Sequence, residues 1–344
     1  MFVFDFDYHL PPELIAQRPH AQRDQSRMMV LRRESSEITH SHFFAIPEFL
    51  ETEDIMVLNS SKVIPAKIWG FKDDGGSIEF LFLQEKENGI WEVICRPAKR
   101  TRLGDKICFA EGFEGEVINI GSEGKRWLQF HSNDVIALLK KKGYAPLPPY
   151  IRRKKMDQAS RYLDLKRYQT VFAQKDGSIA APTAGLHFTP QLLKKIKDTG
   201  VTICELSLDV GLATFQPVRV EKIEDHRMLE ETYSIPPKTG QLITRAKQKR
   251  KPILAVGTTT VRALESAFEG GRIRSGQFST NLFIHPGYTF KVVDKLLTNF
   301  HLPRSTLLML VSAFAGLDLI KKAYQEAIRH RYRFFSYGDC MLII

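Results

Sequence analysis

The sequence predicts an α/β main domain with an inserted small β-barrel domain. Two changes in pattern along the chain indicate this arrangement. Residues 55–131 contain short runs of β-branched and aromatic residues separated by glycine-containing turns, which is typical of a small barrel or sandwich. From about Leu163 onward, strand-like and helix-like segments alternate, as they do in α/β domains. We therefore expect a discontinuous α/β catalytic domain over residues 1–65 and 150–344, interrupted by a barrel over residues 66–149.

Turn signals divide the insert into its strands. Glycine-containing turns occur at 74–76, 88–89, 112 and 121–124. The helix-like segment NDVIALLKKKG follows the last strand, and YAPLPPYIRRKK then has the proline content of an extended linker.

The second half alternates helices with strands. TPQLLKKIKDTG predicts a helix that Thr189 caps and Gly200 ends, and the strand VTICELSLDV follows it. KTGQLITRAKQKRK predicts a helix that leads into the strand PILAV, and the chain finishes as a helix followed by a strand.

The apolar run from Leu307 to Phe314 could be a membrane anchor or a buried helix. The uncharged stretch around it, Ser305–Leu317, is shorter than the roughly 20 residues that a membrane-spanning helix needs. The N-terminus, MFVFDFDYHL, has acidic residues where a signal peptide carries cations. We expect a soluble, cytoplasmic monomer in which Pro303 and Ser305 begin a buried helix.

Composition argues against a metal or disulfide framework. The chain is 43% hydrophobic and 26% charged, which is ordinary for a globular protein. The cysteines are scattered, without a CxxC pair or a nearby histidine grouping, at Cys95, Cys108, Cys204 and Cys340. That spacing favours packed thiols in a reducing cytoplasm and no metal site.

The formal net charge of +11 suggests an anionic partner, and RNA is the first candidate. Residues 140–155 hold lysines and arginines interleaved with tyrosines and contain no acid, whereas the basic cluster at 245–251 is explained by a solvated helix face. A solvated face is the alternative for 140–155 as well. The residues we expect to contact tRNA are Lys141, Lys142, Tyr150, Arg152, Arg153 and Lys154.

The turn Gly257–Thr260 joins an apolar strand to a helix that contains Arg262. Its backbone N–H groups and hydroxyls could bind an anion or a ribose hydroxyl at the positive end of the helix. The GxxxxGK[ST] spacing of a phosphate-binding loop is absent, and a capped helix without a ligand is the alternative. The candidate ligand-binding residues here are Gly257, Thr258, Thr259, Thr260 and Arg262.

Three further segments place a histidine beside small, hydroxyl or proline residues: AAPTAGLHFTP, FIHPGYTF and TNFHLPRST. Small residues allow a ligand to approach the backbone, and a histidine can transfer a proton. Each segment alone could be a tight turn with a packed histidine, but three in one α/β domain indicate a converging pocket. The candidate residues are Thr183, Gly185, His187, His285, Tyr288, Asn299, His301 and Arg304.

Several segments, in order along the chain, have a recognisable pattern: FDYHLPPELIAQRP, LPPYIRR, AAPTAGLHFT, AVGTTTVRALES, TNLFIHPGYTFKVVDKLLTNFHLPRSTLLMLVSAFAG and YRFFSYGDCMLI. They give the chain an end-to-end resemblance to the S-adenosylmethionine:tRNA ribosyltransferase-isomerase (QueA) family. It implies an α/β domain with an inserted barrel and a late step of queuosine biosynthesis. In that step the ribosyl part of S-adenosylmethionine is transferred to 7-aminomethyl-7-deazaguanine at the tRNA wobble position. The product is epoxyqueuosine, and adenine and methionine are released.

This chemistry requires a base, a proton donor for adenine and a partner for the methionine carboxylate. We expect His187, His301 and Asp339 to transfer protons and Arg304 to pair with the carboxylate. S-adenosylmethionine is a substrate in this scheme, and no metal or other cofactor is implied.

The chain also departs from the family pattern. Ser60, Lys62 and Lys67 stand where Asp and two arginines are expected, and Asp209 stands where His is expected. Ala213 occupies a usual glycine position, and Leu229-Glu230-Glu231 replaces His-Ser-Glu. Lysine cannot reproduce a bidentate arginine contact. Two alternatives therefore stay open: a non-catalytic RNA-binding paralogue, and a related ribosyl transferase that acts on a small molecule.

Overall fold

The computed structural model describes residues 1–87, 89–131, 134–211 and 218–344. These residues form two compact units. The main unit contains Met1–Lys62, Pro148–Arg152 and Gln169–Ile344, and the second unit contains Val63–Leu147 and Arg153–Tyr168.

A nine-stranded mixed sheet forms the centre of the main unit. Its spatial order is β17-β13-β12-β3-β14-β18-β19-β1-β2. The strands are β1 (Arg27–Arg32), β2 (Glu37–His42), β3 (Ile55–Asn59), β12 (Thr202–Leu208), β13 (Glu231–Ile235), β14 (Ile253–Val256), β17 (Gly276–Thr280), β18 (Lys295–Asn299) and β19 (Cys340–Ile343). Strands β12, β3, β14 and β18 run parallel to one another, and their carboxyl ends therefore meet at one edge of the sheet.

Two small ladders accompany the large sheet. One pairs β4 (Ser61–Val63) with β11 (Lys175–Ser178), and the other pairs β15 (Phe268–Glu269) with β16 (Arg272–Ile273).

Helices pack apolar faces against the main sheet. Those of the main unit are α3 (Pro190–Asp198), α4 (Pro237–Gln248), α5 (Thr258–Ala267), α6 (Thr306–Ala315) and α7 (Leu317–Arg329). Thr189 caps α3, since its hydroxyl accepts a hydrogen bond from the backbone N–H of Leu192 at 3.1 Å. Gly200, just beyond this helix, has φ +94°, a conformation that favours glycine.

Helix α6 answers the question raised by the apolar run. Ser305 caps it by accepting from the backbone N–H of Leu308, and Met309, Val311 and Phe314 are buried in the main core. Within the part of the chain that the structure describes, no helix is long and apolar enough to cross a membrane.

The second unit is built on a closed antiparallel barrel with strand order β10-β7-β6-β5-β8-β9. The strands are β5 (Lys67–Phe71), β6 (Ser77–Glu87), β7 (Ile90–Arg96), β8 (Lys106–Ala110), β9 (Phe113–Ile120) and β10 (Lys125–Phe130). Alternate residues point inward, and Phe80, Phe82, Val93 and Leu128 fill the interior. The predicted fold class, an α/β domain with an inserted β-barrel, is confirmed.

Residues 153–168 belong to the barrel unit, although the sequence pattern placed them in the α/β domain. The unit contains α1 (Val135–Lys142) and α2 (Gln158–Arg167). Helix α2 is attached through Arg161, whose guanidinium donates to the carbonyls of Gly143 and Lys141, each at 2.8 Å. This attachment is a long-range contact that local periodicity does not encode.

Candidate active site

A pocket lies at the carboxyl ends of the parallel strands, where ligands bind in open α/β sheets. The space between its walls, including the open mouth, is about 540 Å³. Its walls come from loops that are distant in sequence. The lining residues are Tyr150, Ala181, Pro182, Thr183, Ala184, Val210, Gly257, Thr258, Thr259, Thr298, Asn299, Phe300, His301, Leu302, Leu307, Phe335 and Ser336.

Helix α5 directs its N-terminus into this pocket. Gly257 is the N-cap residue, with φ +90°, and no side chain in the described part of the chain caps the helix. The backbone N–H of Gly257 donates to the carbonyl of Leu297 at 2.8 Å, which holds the turn beside strand β18. The first N–H groups of a helix have no intrahelical partner. Since Thr258 and Thr259 line the pocket, their N–H groups can bind a negatively charged ligand group.

Asn299 supplies a hydrogen-bond acceptor to the site. Its Oδ1 atom is buried and has no hydrogen-bond partner among the residues that the structure describes. Its Nδ2 atom donates to the carbonyls of Phe335 and Asp339, each at 3.3 Å, and to His187 Nε2 at 3.2 Å. Reversing the amide would place its oxygen against two carbonyl oxygens, so the assignment is determined. A buried amide oxygen without a partner loses free energy, and a ligand N–H would satisfy it.

His187 holds the Asn299 side chain in place through a hydrogen bond to its amide nitrogen. Because the Asn299 amide is the donor, His187 Nε2 accepts, and Nδ1 carries the proton that is donated to Ser26 Oγ at 2.6 Å. Burial lowers the pKa of His187 to about 4, so the ring is neutral near pH 7. His187 does not line the pocket, and we describe it as a positioning residue.

His301 is a histidine that does line the pocket. Its Nε2 atom hydrogen-bonds Thr298 Oγ1 at 2.8 Å, and its backbone is held by Tyr324 and Tyr8. Burial lowers the pKa of His301 to about 3. A neutral imidazole with a lone pair can accept a proton, and its acidic conjugate form returns that proton readily.

Phe335 forms another wall in a conformation that bulky residues rarely adopt. Its φ is +71°, in the left-handed region, and the backbone N–H of Gly338 donates to its carbonyl at 2.9 Å. Such strain is often found at functional sites. The neighbouring Ser336 hydroxyl lies 2.7 Å from the Tyr150 hydroxyl, and both residues line the pocket.

Comparisons with known proteins give this geometry a context. A family model described as queuosine biosynthesis protein matches residues 3–343. The protein named S-adenosylmethionine:tRNA ribosyltransferase-isomerase in Thermotoga maritima is 48% identical over 344 residues, with 100% of both chains covered. The protein of the same name in Halothermothrix orenii is 50% identical over 348 residues, again with 100% of both covered.

The chain belongs to this enzyme family.

A solved structure agrees with that membership. The crystal structure of an S-adenosylmethionine tRNA ribosyltransferase from Thermotoga maritima has a TM-score of 0.55 and 40% sequence identity, and the match covers 99% of this chain and 100% of that one. The family predicted from the sequence motifs is therefore confirmed.

In this family member, six of the candidate site residues line the pocket: Thr183, Gly257, Thr258, Thr259, Asn299 and His301. Tyr150 also lines it, although the sequence placed that residue in the RNA-binding stretch. Nothing in its local pattern distinguishes a pocket tyrosine from one in a basic linker. The sequence analysis does not predict Phe335, Ser336 and Thr298 as site residues, although they lie within the segments YRFFSYGDCMLI and TNFHLPRST.

Other candidates support the site from the core. The hydroxyl of Thr260 donates to the Val256 carbonyl at 2.7 Å, and Gly185 is packed so that a Cβ there would lie 2.7 Å from the Phe172 ring. Arg262 is buried, forms an ion pair with Glu231 and donates to the Leu282 carbonyl. None of these three candidates lines the pocket.

His285 and Tyr288 also lie outside the pocket lining. The Tyr288 hydroxyl donates to Glu265 Oε2 at 3.2 Å, and the same carboxylate accepts from the backbone N–H groups of residues 291–293. His285 Nδ1 lies 3.0 Å from the Pro286 carbonyl. These contacts stabilise the segment after strand β17.

Arg304 and Asp339 do not face the pocket as the sequence suggested. The Arg304 side chain is 52% exposed and pairs with Asp7 at 2.5 Å, and its φ is +54°. Asp339 is fully buried and accepts hydrogen bonds from the backbone N–H groups of Arg27 and Arg333, at 2.9 and 2.7 Å. Burial acts to raise the pKa of Asp339, but hydrogen bonds from His20 and these N–H groups outweigh it, and the pKa is lowered.

The proposed RNA-binding cations differ in their surroundings. Lys141, Lys142, Arg152 and Lys154 are exposed. Arg153 instead pairs with buried Asp164 through two hydrogen bonds, at 2.7 and 2.9 Å. This pairing makes Arg153 a structural residue of the barrel unit.

The structure shows what surrounds the residues that depart from the family pattern. Lys62 pairs with Asp176 at 3.1 Å, and Ser60 Oγ donates to the Leu206 carbonyl at 3.2 Å. Burial raises the pKa of Asp209, whose Oδ1 atom has no hydrogen-bond partner within residues 1–87, 89–131, 134–211 and 218–344. Leu229 is 61% exposed, and Ala213 lies outside the described residues.

Proposed function

We propose that this protein transfers the ribosyl part of S-adenosylmethionine to 7-aminomethyl-7-deazaguanine at the wobble position of tRNA. The products would be epoxyqueuosine in the tRNA, adenine and methionine. The observation that carries this proposal is the convergence, in one pocket, of the open N-terminus of α5, the unpartnered Asn299 oxygen and the His301 imidazole. Family membership supports the choice of substrates.

The methionine part of the donor suits the pair formed by α5 and Asn299. Its carboxylate would accept from the N–H groups of Thr258 and Thr259, where the helix dipole also favours negative charge. Its ammonium group would donate to Asn299 Oδ1. The two groups are bonded to the same carbon. Asn299 ends strand β18 and helix α5 follows β14, its parallel neighbour, so one end of the ligand can reach both.

This assignment replaces the one expected for Arg304. That guanidinium already pairs with Asp7 and is absent from the pocket lining, whereas the α5 N-terminus is uncapped and lines it.

His301 is the group we assign to proton transfer. Formation of the new bond from the aminomethyl nitrogen releases a proton, and departure of adenine consumes one. The position of His301 in the pocket lining supports its role in accepting the first proton, and its lowered pKa makes the conjugate acid a strong donor to the leaving adenine. His187 contributes by holding the Asn299 amide in its productive orientation.

The test is a turnover assay with S-adenosylmethionine and tRNA carrying the precursor base, followed by mass analysis of the nucleosides. Wild-type protein should produce epoxyqueuosine and release adenine in equal amounts. Donor binding without any modified nucleoside would contradict the proposal and favour the non-catalytic RNA-binding alternative. Modification of a free nucleoside in preference to tRNA would favour the small-molecule alternative.

Matched variants connect the reaction to the pocket. Asn299→Ala should lose donor affinity, while Asn281→Ala, at an exposed asparagine of the same unit, should retain it. His301→Gln should reduce the single-turnover rate more than donor affinity, because a proton-transfer group acts mainly in the transition state.

A further inference from the structure

A cluster of two histidines and one glutamate lies on the main unit, outside the pocket lining. His40 comes from the edge strand β2, whereas Glu326 and His330 are one helical turn apart at the end of α7. One potential ligand atom from each residue lies within 4.8 Å of the other two. The two imidazole rings have centroids 4.6 Å apart.

The spacing of these atoms is close to that of a metal site. His40 Nε2 lies 3.5 Å from Glu326 Oε1, and His330 Nε2 lies 2.8 Å from the same oxygen. Zinc bonds of about 2.1 Å in a tetrahedron separate neighbouring ligand atoms by roughly 3.4 Å. The first distance fits that value, and the second would have to lengthen slightly. The His330 side chain is 45% exposed and can make this adjustment.

The second nitrogen of His40 has a partner that suits metal binding. Its Nδ1 atom lies 2.8 Å from the Tyr332 hydroxyl. When Nδ1 donates its proton to that oxygen, the Nε2 lone pair is directed toward Glu326. Metal-binding histidines usually have such a hydrogen bond on the other ring nitrogen. Arg27 fixes Tyr332 by lying 4.1 Å from the ring centre, and it donates to the His330 backbone carbonyl at 2.8 Å.

We propose that His40, Glu326 and His330 bind one divalent transition-metal ion and that water completes its coordination. Zinc is the ion used to test this proposal. Imidazole and carboxylate ligands suit zinc and its neighbours in the first transition series. The bound ion would connect the edge strand to the last helix. The sequence does not reveal this cluster, because His40 is separated from the other two ligands by most of the chain.

The Arg329 guanidinium would compete with a metal ion for this cluster. Arg329 donates to Glu326 Oε1 at 2.7 Å, and its Nη2 atom also lies 3.4 Å from His330 Nε2. This guanidinium is 72% exposed and can move away when a metal ion binds. The positive charge of Arg329 repels the metal ion. Removing that charge should therefore strengthen zinc binding, whereas removing a histidine ligand should weaken it.

The test is zinc titration of tag-free protein stripped with EDTA, with affinity measured by competition against a chromogenic chelator. The background should carry Cys108→Ser, because that exposed thiol could bind zinc by itself. The parent should bind one equivalent of zinc at this site. His40→Ala and His330→Ala should each weaken zinc binding by roughly 10- to 100-fold or more, because loss of a direct ligand should cost at least as much as loss of an outer hydrogen-bond partner.

Two control variants make the result specific. His42→Ala removes an exposed histidine of the same strand and should leave zinc affinity unchanged. Arg329→Gln should bind zinc at least as tightly as the parent. Zinc should also raise the melting temperature of the parent but not of the His330→Ala variant, because a ligand that binds only the folded state stabilises it. Equal zinc affinity in the parent, His40→Ala and His330→Ala proteins, or no zinc binding by the parent, would overturn the proposal.

Discussion

Acidification should unfold the main unit through its two buried histidines. In the unfolded chain each has a pKa near 6.5, whereas burial lowers the pKa of His187 to about 4 and of His301 to about 3. The unfolded chain therefore binds the proton first, and stability that is complete above pH 6.5 is lost as the pH falls toward these values. Between pH 7 and pH 5 each histidine should cost about 2 kcal/mol of unfolding free energy.

The assay can follow each unit separately. Helices α3–α7 belong to the main unit, so urea unfolding monitored by far-ultraviolet circular dichroism reports mostly on it. The tryptophans Trp69, Trp91 and Trp127 all lie in the barrel unit, and their fluorescence provides an internal reference.

Glutamine variants isolate the contribution of each imidazole. His187→Gln and His301→Gln should each lose about 2 kcal/mol less than wild type between pH 7 and pH 5, even if they are less stable at pH 7. His9→Gln, at an exposed position, should behave as wild type does. If all four proteins lose the same free energy over this interval, burial does not keep these imidazoles neutral and the reasoning is refuted.

Four other predictions concern named side chains. Asn299→Ala should weaken S-adenosylmethionine binding roughly 10- to 100-fold in calorimetry, the range for a hydrogen bond to a charged group, and an unchanged affinity would remove the Asn299 oxygen from the donor site. Arg304→Lys should bind S-adenosylmethionine with an affinity within about twofold of wild type, because the residue is outside the pocket. A large loss of affinity would indicate that Arg304 does bind the methionine carboxylate. Arg153→Gln should destabilise the barrel unit by about 3 kcal/mol in urea unfolding, because it leaves buried Asp164 without its ion-pair partner. Exposed Arg152→Gln should instead lower, by about one, the slope of the logarithm of the tRNA-binding constant against the logarithm of the salt concentration. The reverse pattern would contradict both assignments. Asp209→Asn should raise stability at pH 7 but not at acidic pH, since a raised carboxyl pKa means that ionisation opposes folding; a loss at pH 7 would indicate that the Asp209 charge is required.

The local sequence was sufficient to predict the helix α3, the buried helix α6 and the family. Cap and stop signals located α3 between Thr189 and Gly200, and the uncharged run after Ser305 correctly indicated a buried helix. The sequence predicts helix caps and ends because they depend on residues within one or two helical turns of each other. The long, ordered motifs likewise identified the family without any distance information.

The tertiary structure decided which motif residues face the pocket. Asn299, His301 and Arg304 occupy one loop, yet only the first two line the site, because Arg304 adopts a positive φ and pairs with Asp7 near the other end of the chain. Sequence spacing contains no information about a partner almost 300 residues away.

Proton positions and unsatisfied groups also required the folded structure. Asn299 is a useful acceptor only because Phe335, Asp339 and His187 use its amide nitrogen and leave its oxygen without a partner. His187 is neutral because the surrounding core excludes water, which lowers its pKa. The sequence by itself determined the residue types and the order of elements, and only long-range packing decided which polar atoms remain available for a substrate.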